Sequence, residues 1–338
     1  MKKLFVLLIF PIVVCLASAH LYAQKIKPAV KVKDSKIKEP VAQKYKPVVF
    51  ENSPELQSLV NKAAVDTINN FAAKNFKSDN LAVTLIDLRD AKNVKMAQFN
   101  GEVKIYPASV VKMFYLAAIH RWLEDGKLRD TPELRRGMKD MIVDSSNDAT
   151  HYMVDALTAT SSGTELSPKE LTDFAFKRHV VNRYFESIGY RNINVCQKTY
   201  CEDLYGRERQ FWNAGKNRNM LTTNAIARLM TEIVLGKAVT AERSAQMMDL
   251  MKRDYSGTSK DPDDQAHGFT GIALQNMKDA KLWSKAGWTS TTRHDVAYVE
   301  TPEGLKFVLV TFTTNFANER EIIPSVAEIV LKNLGGIK

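Results

Sequence analysis

Only three of the 338 residues are cysteine, fifteen are glycine and eleven are proline, and the six histidines show no ligand-like spacing. So little glycine and proline excludes a collagen-like or low-complexity chain, and no self-similar period marks a solenoid or a propeller. The scattered histidines give no reason to expect a metal, and no other cofactor is called for. After the first two dozen residues no uniformly apolar run reaches the roughly 20 residues of a membrane span. What is present, 45% hydrophobic and 25% charged residues, is enough to bury a substantial core.

The net charge of +10 is unevenly placed. Lys2 and Lys3 precede an apolar run from Leu4 to Val14, followed by Ala17-Ser18-Ala19 and Leu21-Tyr22-Ala23. That order of basic, apolar and small residues is an export signal over 1–23, cleaved after Ala19 or Ala23, and it predicts a periplasmic or secreted protein. Val14 is bulkier than the residue that usually precedes a lipid-anchored cysteine, which argues against an anchor on Cys15. Residues 24–50 hold eight lysines against Asp34 and Glu39, with Pro28, Pro40 and Pro47 among them. This reads as an extended, solvated tether, so the basicity belongs to it and does not announce a nucleic-acid partner. Residues 51–338 then form the globular part, with no feature that demands more than a monomer.

In the globular part, Ser53-Pro54-Glu55 opens a helix predicted to run to about Asn75, and the runs Leu81–Leu88 and Val94–Phe99 make a hairpin. Helix returns from Ser109 to Asp125, capped by Gly126, and again after Thr131-Pro132-Glu133. Helical periodicity continues through Tyr152–Leu157, Leu171–Ile188, Thr223–Leu235 and Ala241–Met251. Strands reappear at Lys281–Trp288, His294–Glu300 and Leu305–Thr313, and Pro324–Leu334 is a closing amphipathic helix. The order predicts an α+β fold: a five-stranded antiparallel sheet flanked by terminal helices (51–108 and 275–338) with an inserted all-helical lobe (109–274). A cleft between the lobes is the expected site.

Three polar motifs fall where the chain enters that cleft. In Ser109-Val110-Val111-Lys112 the hydroxyl and the amine share one helical face, so an amine that has lost its proton can act as base on the serine. Ser145-Ser146-Asn147 sits between helices, where capping alone could explain it. Lys285-Ala286-Gly287 puts a lysine inside an apolar strand, a costly position unless a polar partner receives it, and a glycine where another backbone could approach.

Together, in this order, the motifs resemble those of the penicillin-recognising serine acyl-transferases, and most closely the class A β-lactamase group with its S-x-x-K, S-D-N and K-T-G signatures. The resemblance spans roughly Ser53 to Lys338. It implies that Ser109 is the nucleophile, Lys112 its activating amine and Ser145 the proton relay to the leaving nitrogen. It further implies that Asn147 holds the substrate's side-chain amide, that Lys285 and Gly287 line the substrate site, and that the backbone N–H groups of Ser109 and Trp288 form the oxyanion hole. A β-lactam or a peptidoglycan-derived peptide is the implied small-molecule partner.

The sequence also departs from that pattern. Ser146 replaces the usual Asp, and Ala286 replaces a hydroxyl residue, for which Thr289 is the candidate substitute. The E-x-x-L-N segment that carries the family's deacylating glutamate is missing; Glu202, Asp203 and Glu208 are the carboxylates in the corresponding region. Cys196 and Cys201, with four residues between them in an exported chain, invite a local disulfide. The leading expectation is therefore a serine hydrolase that opens cyclic amides through an acyl-Ser109 intermediate. The alternatives are a D-alanyl-D-alanine peptidase on the same fold and a non-catalytic envelope-binding module.

Overall fold

The computed structural model describes residues 45–200 and 204–336. The export signal, residues 24–44 of the tether, Cys201, Glu202 and Asp203 lie outside the described residues. Part of 45–50, read above as the end of the tether, is anchored to the body: Val48 joins the core, the Tyr45 hydroxyl donates to Glu232, and Arg228 donates to that hydroxyl at 2.6 Å, while Lys46, Pro47 and Val49 are exposed.

The chain opens with β1 (Glu51–Asn52), α1 (Pro54–Asn70), β2 (Leu81–Asp87) and β3 (Lys95–Phe99). A helical series follows: α2 (Lys112–Glu124), α3 (Pro132–Ile142), α4 (Asn147–Thr158), α5 (Pro168–Arg178), α6 (Val180–Ser187), α7 (Gly206–Trp212), α8 (Thr223–Val234) and α9 (Ala241–Met251). After β4 (Lys252–Arg253) and α10 (Thr270–Leu274) come β5 (Lys281–Trp288), β6 (Thr292–Glu300), β7 (Lys306–Thr314) and α11 (Ile322–Leu334). The strands form one sheet in the order β1-β3-β2-β7-β6-β5-β4.

Five strands were expected and seven are found; the additions are two-residue edge strands, too short to show an alternation in the sequence. β1 pairs parallel to β3, which makes the sheet mixed, while every other pairing is antiparallel. The first helix is shorter than its periodicity suggested. It yields after Asn70 to a short 3-10 turn that Asn75 closes in the left-handed region, a conformation asparagine tolerates. The helical periodicity over Leu171–Ile188 belongs to two helices, α5 and α6, that meet at His179.

Strand residues alternate between two cores. Leu81, Val83 and Leu85 of β2 and Phe307 and Leu309 of β7 pack with α1 and α11, so the terminal helices cover one face. Ala82 and Ile86, Val308, Val310 and Phe312 pack with α2 and α8 on the other. Strands buried on both faces have apolar residues at every step, which is why they read as continuous runs. Among the described residues no helix is long and apolar enough to cross a membrane.

Candidate active site

Ser109 sits in a 3-10 turn, Ala108–Val111, that runs directly into α2. Two features hold this turn against the sheet. Ala108 adopts a positive φ of 46°, an uncommon and strained state for a residue with a Cβ. His294 on β6 bonds through Nε2 to the Tyr106 carbonyl at 2.9 Å, while its Nδ1 accepts the Thr313 N–H at 3.2 Å. Those partners require a neutral ring with the proton on Nε2, and burial accordingly pulls the His294 pKa down to about 4.

Beyond Trp283 the outer edge of β5 has no strand partner among the described residues, and the serine turn lies against it. A Cβ on Gly287 would fall 2.7 Å from the Ser109 nitrogen, 2.8 Å from the Val110 nitrogen and 2.9 Å from the Pro107 carbonyl oxygen. The glycine is needed because backbone, which cannot swing aside, occupies the space. Trp288, next along, is partly exposed and leans on Phe269.

The lysines of the first and third motifs converge on one hydroxyl of the second. Lys112, fully buried, donates from Nζ to the Ser145 carbonyl at 2.5 Å, to Asn147 Oδ1 at 2.9 Å and to Ser145 Oγ at 3.3 Å. Lys285, equally buried, donates to the same Oγ at 2.9 Å. With both amines donating to it, the Ser145 hydroxyl has its own proton to direct elsewhere. Ser145 itself is left-handed, at φ 56°. Burial, and then the positive charges of Lys112 and Arg253, push the Lys285 ammonium well below its ordinary range, with Asp295 on β6 partly opposing them.

Ser146 has a different task. Its hydroxyl accepts the Ala149 N–H at 3.1 Å and caps α4, so the middle residue of the second motif is structural while its neighbours face the lysines. The site thus brings Ser145, Asn147, Lys112 and Lys285 into direct contact, with the Ser109 backbone against Gly287.

Gln265, in the loop before α10, escaped the sequence reading. Its Oε1 accepts from Lys285 Nζ at 2.5 Å and from the Ala286 N–H at 3.2 Å, and its Nε2 donates to the Val143 carbonyl at 2.8 Å. One amide therefore ties β5 to the end of α3, just before the Ser145 loop. A polar loop residue carries no local signal of such a role. Ala286 packs with Phe269 and Ile323 in a small apolar cluster. The Thr289 hydroxyl accepts the Thr291 and Thr292 N–H groups, each at 3.2 Å, and closes the β5–β6 turn.

Of the three candidate carboxylates only Glu208 is described, and it is engaged elsewhere. It is buried against Arg178 at 3.0 Å, Ser162 at 3.1 Å and Lys198 at 3.5 Å, an ion cluster that clamps α5 to α7. Between these helices the loop is held by asparagine amides: Asn219 Oδ1 accepts the Cys196 and Gln197 N–H groups, and Asn182 Oδ1 accepts that of Val195. Cys196 is a free, buried thiol with its pKa pushed up to about 12 by burial; its expected partner Cys201 lies outside the described residues.

A family model described as "Beta-lactamase enzyme family" matches residues 63–334. The chain belongs to that family. Among solved structures it is similar to a β-lactamase from Sphaerobacter thermophilus, with TM-score 0.59 and 17% identity over 83% of this chain and 98% of the other. It is also similar to PBP-A, with TM-score 0.56 and 16% identity over 87% of this chain and all of the other. A class A β-lactamase from Bacteroides cellulosilyticus gives TM-score 0.56 and 16% identity over 82% and 99%. At such identities the likeness shows the fold, an α+β body with a mixed sheet and a helical lobe. No curated protein matches the sequence.

Proposed function

We propose that this family member is an exported serine hydrolase whose Ser109 is acylated by β-lactams and whose acyl-enzyme is then hydrolysed. The observation that carries the reading is the shared hydrogen bonding of two buried lysines to Ser145 Oγ beside the serine turn. Two ammonium groups on one hydroxyl repel each other, so the pair gives up a proton more readily than either lysine alone. A neutral amine there accepts the Ser109 proton as Oγ attacks the lactam carbonyl. The carbonyl oxygen takes up negative charge opposite the Ser109 and Trp288 N–H groups. The C–N bond then breaks, the Ser145 proton passes to the leaving nitrogen, and a lysine ammonium restores it. Lys285 also attracts a substrate carboxylate.

A second reading has a specific observation behind it. Glu208, the one described carboxylate of the three candidates for the family's deacylating glutamate, is held by Arg178 and Lys198. A slow deacylation would make the protein a D-alanyl-D-alanine peptidase that penicillin traps. The test is nitrocefin turnover by the mature chain and its Ser109→Ala variant, with mass spectrometry after benzylpenicillin. Turnover lost in the variant, with a short-lived adduct on Ser109, supports hydrolysis. A persistent adduct supports the peptidase, and equal rates in both proteins overturn both readings.

A further inference from the structure

His267 lies two residues after Gln265 in the loop between β4 and α10, and both of its ring nitrogens are engaged. Nδ1 is 3.0 Å from Asp264 Oδ1, and Nε2 is 3.1 Å from the Ser256 carbonyl oxygen. Asp264 Oδ1 also accepts the Ala266 and His267 N–H groups, at 2.8 and 2.9 Å, as an ionised carboxylate does. Neither oxygen has a hydrogen to give, so both ring nitrogens must donate, and only the imidazolium can do that. His294 is the opposite case, with one donor and one acceptor on a neutral ring.

The contact joins two arms of one loop. The outer arm leaves β4 at Asp254, whose carboxylate fixes Ser256 by accepting its N–H at 3.0 Å and its hydroxyl at 2.6 Å. The inner arm, which carries Gln265, is moored to β6: Arg293 donates to Asp263 and to the Gly268 carbonyl, each at 2.6 Å. The arms also meet where Arg253 approaches Gln265 Oε1 at 3.5 Å, and Arg253 reaches on to the Ser284 carbonyl, next to Lys285, at 2.9 Å. The charges that act on the ring are those of Asp264, beside it, and Asp254, across the loop; Lys252 and Arg253 of β4 act in turn on Asp254 and Asp264.

We propose that His267 is a positioning residue for acylation: as an imidazolium it clasps the two arms of the β4–α10 loop and keeps Arg253 and Gln265 aligned on the strand of Lys285, and as a neutral ring it lets the outer arm go. This role rests on the reading of Ser109 given above, to which it adds a residue. A neutral ring keeps one hydrogen, so a lone pair faces one of the two oxygens and that contact gives way. Because Arg293 moors the inner arm, the outer arm, residues 254–260, is the part released. Burial opposes the charge on His267, but the bonds to Asp264 and Ser256 and the charges of Asp264 and Asp254 outweigh it, so its pKa stands above the ordinary 6.5. The clasp is closed below that ordinary value and opens as pH rises through the higher folded one.

The test uses the mature chain and a His267→Gln variant, whose side chain is neutral at every pH. Nitrogen-resolved NMR of the parent ring should show two N–H groups and a titration above pH 6.5. Amide exchange of residues 255–260, corrected for the intrinsic rate, should be about tenfold slower in the parent than in the variant below about pH 6.5, the ratio falling towards one by about pH 9. The ratio of Ser109 acylation rates with benzylpenicillin, parent over variant, should fall over the same interval, a pH dependence that a merely structural side chain does not give. A ring that titrates at or below pH 6.5, or an exchange ratio constant with pH, overturns the clasp. An exchange ratio that falls while the acylation ratio stays constant overturns the positioning role. If benzylpenicillin acylates Ser109 at no pH, the hydrolase reading is what fails, and the ring titration and the exchange ratio still support or overturn the clasp.

Discussion

Replacing Gln265 separates geometry from charge at the centre of the site. Its Oε1 is an acceptor for Lys285 at 2.5 Å, and the side chain is only 9% exposed, so water does not replace the bond. Gln265→Leu removes an uncompensated hydrogen bond to a charged group, which costs about 1.5 to 3 kcal/mol, roughly ten- to hundredfold in acylation rate. It also strands the Val143 carbonyl and loosens the Ser145 loop. Gln265→Glu keeps the shape, loses the same carbonyl bond and adds a negative charge beside Lys285 and within 3.5 Å of Arg253. That charge favours the protonated lysines, so the pH at which the pair yields its proton rises. The acid limb of acylation should therefore move up by about one pH unit or more in the Glu variant and down in the Leu variant, which withdraws an acceptor from the ammonium. The assay is the second-order rate of Ser109 acylation by benzylpenicillin from pH 5 to pH 10. A Glu profile that superposes on the parent, together with a Leu variant of parental rate, would refute the argument that Gln265 sets the position and proton affinity of Lys285.

Other outcomes follow from packing and protonation. Gly287→Ala forces a methyl group against the backbone of Pro107, Ser109 and Val110, and should cost about 1 to 3 kcal/mol of stability with a larger loss of acylation, read by thermal melts and the same rate assay. His294 and His120 both have pKa values near 4 in the folded chain against 6.5 ordinarily, His120 because burial disfavours its charge. The unfolded chain takes up protons first as pH falls, so their contribution is intact above about pH 6.5 and drains away towards pH 4, by as much as about 3 kcal/mol each. Melting temperatures that stay flat over that interval would contradict it, and His294→Gln should reduce the slope. Glu208→Gln breaks the buried pair with Arg178 and should destabilise by about 3 to 5 kcal/mol in urea titrations. A variant of parental stability that accumulates acyl-enzyme would instead make Glu208 the deacylating base.

Much of the fold was legible because burial leaves a period. β5 and α9 fall on the residues their patterns predicted, since an apolar strand and an amphipathic helix advertise themselves within a few residues. The three motifs were legible as residue types, and their order pointed to the family that the comparisons show. The break at His179 was not visible, because apolar spacing persists on both sides of it. Local pattern alone does not separate Ser145 from Ser146, both serines in a loop; the resemblance assigns the relay role to Ser145, and the start of α4 shows that the Ser146 hydroxyl caps a helix while that of Ser145 faces the lysines.

The amino-acid order alone therefore determined most of the helices and long strands, where charge concentrates and which side chains could do acyl chemistry, because those properties depend on neighbours along the chain. The tertiary structure decided which of those groups meet. Gln265 reaches Lys285 across 20 positions, His294 reaches Tyr106 across 188, and Arg178 takes Glu208 out of contention across 30. Such pairings depend on distances between elements, and no local pattern encodes them.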